Sequence, residues 1–234
     1  MDVLGKALLD FWAGDYTEDI VTISSLEDTD TMSLTYLFRN YDQMPSIEQQ
    51  ALKACKGNVL DVGCGAGSHA LYLQQQGFEV VGLDQSPGAI AVCQARGLGH
   101  TLCCDLRSHT AAQYDTLLLL MNGIGLAGTL AQLPYFLAHL KTLMKPNAQI
   151  LVDSSDLIYC FQDEEDGRYW MPTDVAYYGE VRFQMEYKAQ KGPIFDWLYL
   201  DYLTLKQQAE QQGLQCVQLV EGEHYDYLAK LQLQ

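Results

Sequence analysis

The sequence predicts an α/β fold: a doubly wound, mostly parallel seven-stranded sheet with an antiparallel last strand, an N-terminal helical segment and an inserted β-hairpin cap. Three observations carry that expectation. Short apolar runs alternate with helical stretches between residues 58 and 152. The run from Tyr114 to Met121 is so uniformly apolar toward its end that both faces must be buried, as in a parallel sheet. A glycine-rich turn, Gly63-Cys64-Gly65-Ala66-Gly67, stands where the first run passes into a helix, so its backbone can approach a ligand closely and aim amides at it.

Taken in order, Val3, Leu4, Ala7, Leu8, Phe11 and Trp12 recur at helical spacing and predict an amphipathic N-terminal helix. The acidic, threonine-rich stretch from Asp15 to Thr31 reads as loop, and Ser33 to Lys56 returns to helical character around Pro45. Asn58 to Val62 is the first core strand, followed by a helix from Ser68 to Gln76 that Gly77 stops. Phe78 to Leu83 is the second strand; Ser86-Pro87 then supplies an N-cap with proline at the first helical position, and Arg96-Gly97 ends that helix. His100 to Cys104 and Tyr114 to Met121 are the third and fourth strands. Leu130, Leu133, Leu137, Leu140 and Met144 mark a helix that tolerates Pro134 near its first turn, and Gln149 to Val152 is the fifth strand.

Beyond Asp153 the pattern changes. An acidic loop from Asp163 to Gly167 leads to the alternating strand Val181 to Tyr187, a turn at Lys191-Gly192-Pro193 and a second strand, Phe195 to Leu200. Thr204 to Gln212 is helical and closed by Gly213; Leu214 to Val220 and Tyr225 to Leu231 are the final strands, joined by Glu221-Gly222-Glu223-His224. We expect one catalytic domain over 1–234, with a helical lid at 1–56, a cofactor-binding core at 57–156, an inserted β cap at 157–200 and a C-terminal helix with two strands at 201–234.

The net charge of −16, from 30 acids against 14 bases, opposes a phosphate backbone and argues against nucleic acid as a partner. No apolar run approaches the roughly 20 residues of a membrane helix, and the acidic start at Met1-Asp2 is the wrong charge pattern for a secretory signal, so the expected location is cytoplasmic. Seven scattered cysteines, with no CxxC pair and no Cys/His spacing of the zinc kind, read as reduced, mostly buried thiols, and no metal site is expected.

A nicotinamide-binding G-x-G-x-x-G would need its third glycine at Ser68; here the third glycine, Gly67, comes one residue early. Asp84 ends the second strand about 20 residues after Gly63, where a carboxylate can accept both ribose hydroxyls. Asp105, one strand further on, can accept from an adenine amino group.

Val59-Leu60-Asp61-Val62-Gly63-Cys64-Gly65-Ala66-Gly67, then Val81-Gly82-Leu83-Asp84, then Cys104-Asp105-Leu106 resemble in order and spacing the first three motifs of class I S-adenosylmethionine-dependent methyltransferases. The resemblance implies S-adenosylmethionine as cofactor and S-adenosylhomocysteine as product. It implies that the turn of Asp61, Gly63, Cys64, Gly65 and Gly67, with His69 beside it, meets the methionine moiety, Asp84 with Gln85 the ribose, and Asp105 with Leu106 the adenine. Asn122 ends the fourth strand without the Pro-Pro-aromatic sequel of amino-directed nucleic-acid methyltransferases; it donates or accepts at the methionine end or at the acceptor, or serves only the turn.

Arg39 lies on the leading segment that folds over the site in similar enzymes and is a candidate clamp for a carboxylate of cofactor or substrate, or else an exposed helix arginine. His224, on the turn after the sixth strand, is the candidate general base. Asp153 and Asp156 can hold a substrate amine or cap their loop. Tyr159, Tyr169, Trp170, Tyr177, Tyr178, Tyr187 and Trp197 can wall the transfer zone or simply pack the hairpin. The expected activity is methyl transfer to an N, O or S atom of a small molecule, with a protein side chain as alternative acceptor and a non-catalytic S-adenosylmethionine binder as alternative class. Monomer and homodimer are both compatible.

Overall fold

In chain order the elements are α1 (Val3–Ala13), β1 (Ile20–Ser24), β2 (Thr29–Met32), α2 (Leu34–Leu37), α3 (Ser46–Ala54), β3 (Val59–Val62), α4 (Ser68–Gln75), β4 (Val80–Asp84), α5 (Pro87–Ala95), β5 (Thr101–Cys103) and β6 (Tyr114–Leu119). They continue with α6 (Leu133–Thr142), β7 (Met144–Ser155), β8 (Glu180–Tyr187), β9 (Gln190–Leu198), α7 (Tyr202–Gln211), β10 (Leu214–Glu221) and β11 (Asp226–Leu233). This computed structural model describes all residues except 27, 111, 164–167 and 170–174.

The seven-stranded sheet has the order β10-β11-β7-β6-β3-β4-β5. Strands β3 to β7 pair in parallel, and β11 runs antiparallel to both β7 and β10. Alternation along each strand feeds two apolar layers. Leu60, Leu117, Leu119 and Ile150 pack with Leu137 and Leu140 of α6 and Leu205 of α7, while Val59, Leu118 and Leu151 pack on the other face with Leu52 of α3 and Leu73 of α4. Helix starts follow their caps: Ser86 Oγ accepts from Ala89 N at 3.0 Å with Pro87 at the first position of α5, and Asp201 Oδ1 accepts from Thr204 N at 2.9 Å at the start of α7.

Two expectations are corrected. The stretch from Asp15 to Thr31 is not simply loop, because it contains the hairpin β1–β2, paired Ile20↔Met32 to Ile23↔Thr29, and β1 pairs with β8 through Val21↔Glu186. The N-terminal segment and the inserted hairpin therefore share one sheet of order β2-β1-β8-β9. The β-branched Ile20-Val21-Thr22-Ile23 needs that distant partner, and pairing across 160 residues leaves no local signature. The turn of the inserted hairpin lies at Lys188-Ala189, both left-handed (φ 48° and 57°), as in a two-residue hairpin, and not at Lys191-Gly192-Pro193. Pro193 instead lies inside β9, which tolerates a missing N–H because it is an edge strand.

The N-terminal helix docks on α5. Asp2 caps α1 by accepting from Gly5 N at 2.8 Å, and its other oxygen accepts from Ser86 Oγ at 2.8 Å and Gly88 N at 3.1 Å. Gly5 and Gly88 touch backbone to backbone, with no room for a Cβ on either. Four cysteines (55, 64, 93, 216) are buried, Cys104 is partly so, and Cys103 and Cys160 are exposed; all are free thiols. Among the described residues no helix is long and apolar enough to cross a membrane.

Candidate functional site

β3 and β6 are neighbours from which the sheet is wound in opposite directions, toward β4 on one side and β7 on the other. At such a switch point the loops leaving the carboxyl ends diverge and open a crevice. The Gly63 to Gly67 turn leaves β3 there, with positive φ at Gly63, Gly65 and Gly67 (71°, 52° and 82°). Its first amides, Gly63 N and Cys64 N, donate to Leu83 O at 2.8 and 3.0 Å, which ties the turn to β4. A Cβ on Gly65 would meet open space, so the backbone itself faces the crevice, and Gly65 N donates to Asp84 Oδ2 at 2.9 Å.

Asp84 Oδ1 accepts from Ser86 N at 2.9 Å. Burial raises its carboxyl above the ordinary range, partly offset by the Ser86 and Gly65 amides. Each oxygen retains acceptor capacity for a hydroxyl. Asp61, 2% exposed, lies at the end of β3; burial pushes it up to about 6, and its Oδ2 has no hydrogen-bond partner. The amides of Gly63, Cys64, Gly65 and Gly67 are spent within the protein, so it is the orphaned buried acceptor beside the turn that fits a ligand carrying a donor such as an ammonium group. Cys103, immediately before the Cys104-Asp105-Leu106 segment, pairs with Asp84 in the sheet, placing Asp105 beside Asp84; Asp105 is exposed and caps its own turn by accepting from Arg107 N at 2.8 Å, with Leu106 buried and Gln85 exposed nearby. Asp61, the glycines, Asp84 and Asp105 thus lie along one rim, and the donor set fits S-adenosylmethionine.

Arg39 does not lie exposed, which corrects the alternative of a solvated helix arginine. It is buried, and Nη2 lies 2.6 Å and Nε 3.1 Å from the Glu48 carboxylate on α3. A buried guanidinium is costly unless paired, and Glu48 is the pair. His69 Nε2 meets the same carboxylate at 2.9 Å, joining α3 to α4 just after the glycine turn. Burial pushes Glu48 upward, but the His69 and Arg39 bonds outweigh it and hold it below the usual carboxylate range. Sequence reasoning missed Glu48, whose place in the first turn of a helix reads as ordinary dipole complementarity.

After β6, Met121 and Asn122 are both left-handed (φ 65° and 55°), a strained pair for non-glycine residues. Asp153 at the end of β7 holds them: Oδ2 accepts from Met121 N at 3.1 Å and Oδ1 from Gly123 N at 3.0 Å. Burial pushes the Asp153 carboxyl up to about 6, with the Gly123 and Asn122 amides working against that rise. Asn122 Oδ1 is buried and unpartnered. Beyond it, Gly125 lies against the Trp197 indole so closely that no Cβ would fit.

Asp156 follows β7 and accepts on Oδ1 from Tyr178 Oη at 2.7 Å and Ile158 N at 2.9 Å, while its own amide donates to Tyr225 O at 2.8 Å. Tyr177 Oη donates to Asp201 Oδ2 at 2.7 Å, Tyr199 N donates to Gly179 O, and Tyr159 stacks on Tyr225 with ring centroids 5.2 Å apart. Burial raises Tyr199 to about 12, and burial with the neighbouring Glu48 charge raises Tyr36, although Arg39 works against that rise. His224, on the β10–β11 turn, is exposed, its amide bonded to Asp226 Oδ1 at 3.1 Å. Tyr187 lies apart, in the core beneath α1, and Tyr169 is exposed; Trp170 and the acidic residues 164–167 fall outside the described residues.

Residues 59–147 match a family model described as a methyltransferase domain. A solved S-adenosylmethionine-dependent methyltransferase from Bacteroides fragilis, in complex with S-adenosyl-L-homocysteine, superposes with a TM-score of 0.92 at 42% identity over 99% of this chain and 94% of that one. A protein of Geobacillus sp. (strain WCH70) named as a methyltransferase is 40% identical over 60 residues, 24% of each chain. A 2-heptyl-1-hydroxyquinolin-4(1H)-one methyltransferase of Mycobacteroides abscessus is 50% identical over 38 residues, 16% of this chain and 17% of that one. The matched stretches thus span less than a quarter of these two curated relatives.

Proposed function

The chain belongs to the S-adenosylmethionine-dependent methyltransferases, and from that premise we propose that it moves the methyl group of S-adenosylmethionine to an N, O or S atom of a small-molecule acceptor, leaving S-adenosylhomocysteine. The observation that carries the reading is the Gly65 amide bonded to Asp84 at the sheet's switch point, with the orphaned Asp61 Oδ2 below it. In this reading Gly63 to Gly67 and Asp61 hold the methionine end, with His69 beside them and Arg39 bracing the lid above. Asp84 and Gln85 take the ribose, and Asp105 and Leu106 the adenine. A sulfonium methyl is already electrophilic, so the protein's share is to align the acceptor, exclude water and take up a proton. Asn122 presents its free carbonyl oxygen to the methionine end or the acceptor. His224 takes the proton; it lies one residue before the Tyr225 carbonyl that accepts from the Asp156 amide.

The tyrosines of the insertion, with Tyr178 bonded to Asp156 just past β7, favour a small acceptor over a protein surface, and the charge of −16 disfavours nucleic acid. All 234 residues act as one unit in the cytoplasm, as monomer or homodimer. Calorimetry tests the reading: S-adenosylmethionine and S-adenosylhomocysteine bind, and NAD does not. Tight NAD binding without the other two overturns it. With labelled S-adenosylmethionine and a metabolite extract, His224→Asn lowers turnover while leaving S-adenosylhomocysteine affinity intact; unchanged turnover removes His224 from the reaction.

A further inference from the structure

The glycine turn has a rear side, away from the crevice, and α5 backs it there: a Cβ on Gly67 would meet Cys93 Sγ at 2.9 Å, whereas one on Gly65 would meet open space. Gly65 and Gly67 flank Ala66, and both are left-handed (φ 52° and 82°). Glycine changes backbone conformation at little cost, so the peptides on either side of Ala66 keep their orientation only while their carbonyls are held. Two side chains hold them, one on α5 and one at its end. Cys93 Sγ donates to Gly65 O at 3.2 Å, and Arg96 Nη1 donates to Ala66 O at 2.6 Å.

Among the described residues no carboxylate forms an ion pair with Arg96. Its partners are neutral: Ala66 O, Ser68 Oγ at 3.3 Å from Nη1, and the ring of Phe38, whose centroid is 4.9 Å from the guanidinium carbon. A charged donor makes the stronger hydrogen bond, more so where water is excluded, and Ala66 and Ser68 are both buried. The guanidinium is itself fixed in place by the N-terminal segment. Ser68 Oγ donates to Leu37 O at 2.8 Å, and Phe38 packs on Phe11 and Trp12 of α1 with ring centroids 4.6 and 6.4 Å apart. An arginine that only ended α5 would turn its head to water, whereas this one reaches a backbone oxygen of the turn.

Resting on the reading above that Gly63 to Gly67 holds the methionine end, we propose that Arg96 is a positioning residue for S-adenosylmethionine. It acts through Ala66. By holding that carbonyl toward α5 it keeps the turn in one conformation, so that the Asp84 carboxylate bonded to Gly65 N and the Asp61 oxygen stand in place before the cofactor arrives. Without the guanidinium the Ala66 peptide turns over at its two glycines, and binding must first restore it.

The test uses the full chain with Arg96→Met, which keeps an unbranched side chain without a donor, and with Arg96→Lys, which keeps a charged donor. S-adenosylhomocysteine is titrated into each by calorimetry, and circular dichroism establishes that both variants are folded. Arg96→Met is expected to bind at least about tenfold more weakly than wild type, with Arg96→Lys between the two. Hydrogen exchange separates positioning from packing: in unliganded Arg96→Met it is expected to quicken over residues 63–68 and to keep wild-type rates across β4 and β6. A smaller loss of affinity in Arg96→Met, no recovery in Arg96→Lys, or unaltered exchange over 63–68 overturns the proposal. So does faster exchange shared by the turn, β4 and β6, which would make Arg96 a packing residue of the whole domain. Failure of wild type to bind S-adenosylhomocysteine is a separate result and overturns the methyltransferase reading on which the proposal rests.

Discussion

Arg39 and Glu48 form a buried ion pair, their side chains 3% and 5% exposed, and His69 shares the carboxylate from the first turn of α4. The N-terminal segment and the start of α4 are thereby joined through one carboxylate. Removing that carboxylate strands a guanidinium in the core, at a cost of about 3–5 kcal/mol. Glu48→Ala is accordingly expected to lower unfolding stability by about that amount in denaturant titration, whereas Arg39→Met with Glu48→Leu together recover most of it. A double variant no more stable than Glu48→Ala would show that the loss does not come from a stranded guanidinium.

Asp153 makes activity and stability respond oppositely to pH. Its carboxylate holds the left-handed Met121-Asn122 turn through two amides, and that hold weakens on protonation. Methyl transfer should therefore fall as pH drops through about 6, the value to which burial raises this carboxyl. For folding, a carboxyl raised from 3.8 to about 6 contributes stability that is fully present below 3.8 and lost as pH rises through 6. In Asp153→Asn the acidic limb near pH 6 is reduced, leaving any part due to Asp61, and kcat/KM falls by about 10- to 100-fold through loss of a charged acceptor. An unchanged pH profile in this variant would assign the limb elsewhere.

Asp84 ties the glycine turn to the second parallel strand and carries the ribose in the proposed function. Asp84→Ala removes charged acceptors, each worth about 1.5–3 kcal/mol, so S-adenosylhomocysteine affinity should drop by at least about tenfold. Asp84→Asn keeps the shape and one acceptor oxygen and should fall between wild type and alanine. Calorimetry decides; equal affinities for all three proteins would remove Asp84 from the site.

What the sequence disclosed follows from the range of the interactions involved. The core strands and their helices were legible because local periodicity, Ser86-Pro87 and the closing glycines all specify the same elements. The hairpin β1–β2 was hidden because its partner β8 lies 160 residues away and supplies the burial that the strand lacks alone. Pro193 drew the turn to itself, although an edge strand accommodates proline and the left-handed Lys188-Ala189 pair carries no glycine or asparagine to announce it. At the candidate site the glycine turn and the carboxylates that end the next two strands were legible as a motif. Glu48 and the Asp153 clamp were not, since each carboxylate acquires its role only when distant elements meet it.

The docking of α1 on α5 yields a last prediction, because it includes one close backbone contact. A Cβ at Gly88 would come within 2.5 Å of the Gly5 Cα and carbonyl carbon, so a side chain there forces the helices apart. Gly88→Leu should destabilise by about 1–3 kcal/mol through overpacking, with undocking of α1 bounding the loss. The effect should reach the cofactor rim, since Asp2 also accepts from Ser86 Oγ and Gly88 N, and the Ser86 amide holds Asp84 Oδ1. Faster hydrogen exchange across residues 3–13, with weaker S-adenosylhomocysteine binding, is therefore expected. Asp2→Ala should give the same pattern more mildly, losing a helix cap worth about 1 kcal/mol while leaving the Gly5–Gly88 contact in place. Undocking of α1 with unaltered S-adenosylhomocysteine binding would show that the helix stabilises the fold without supporting the ribose carboxylate.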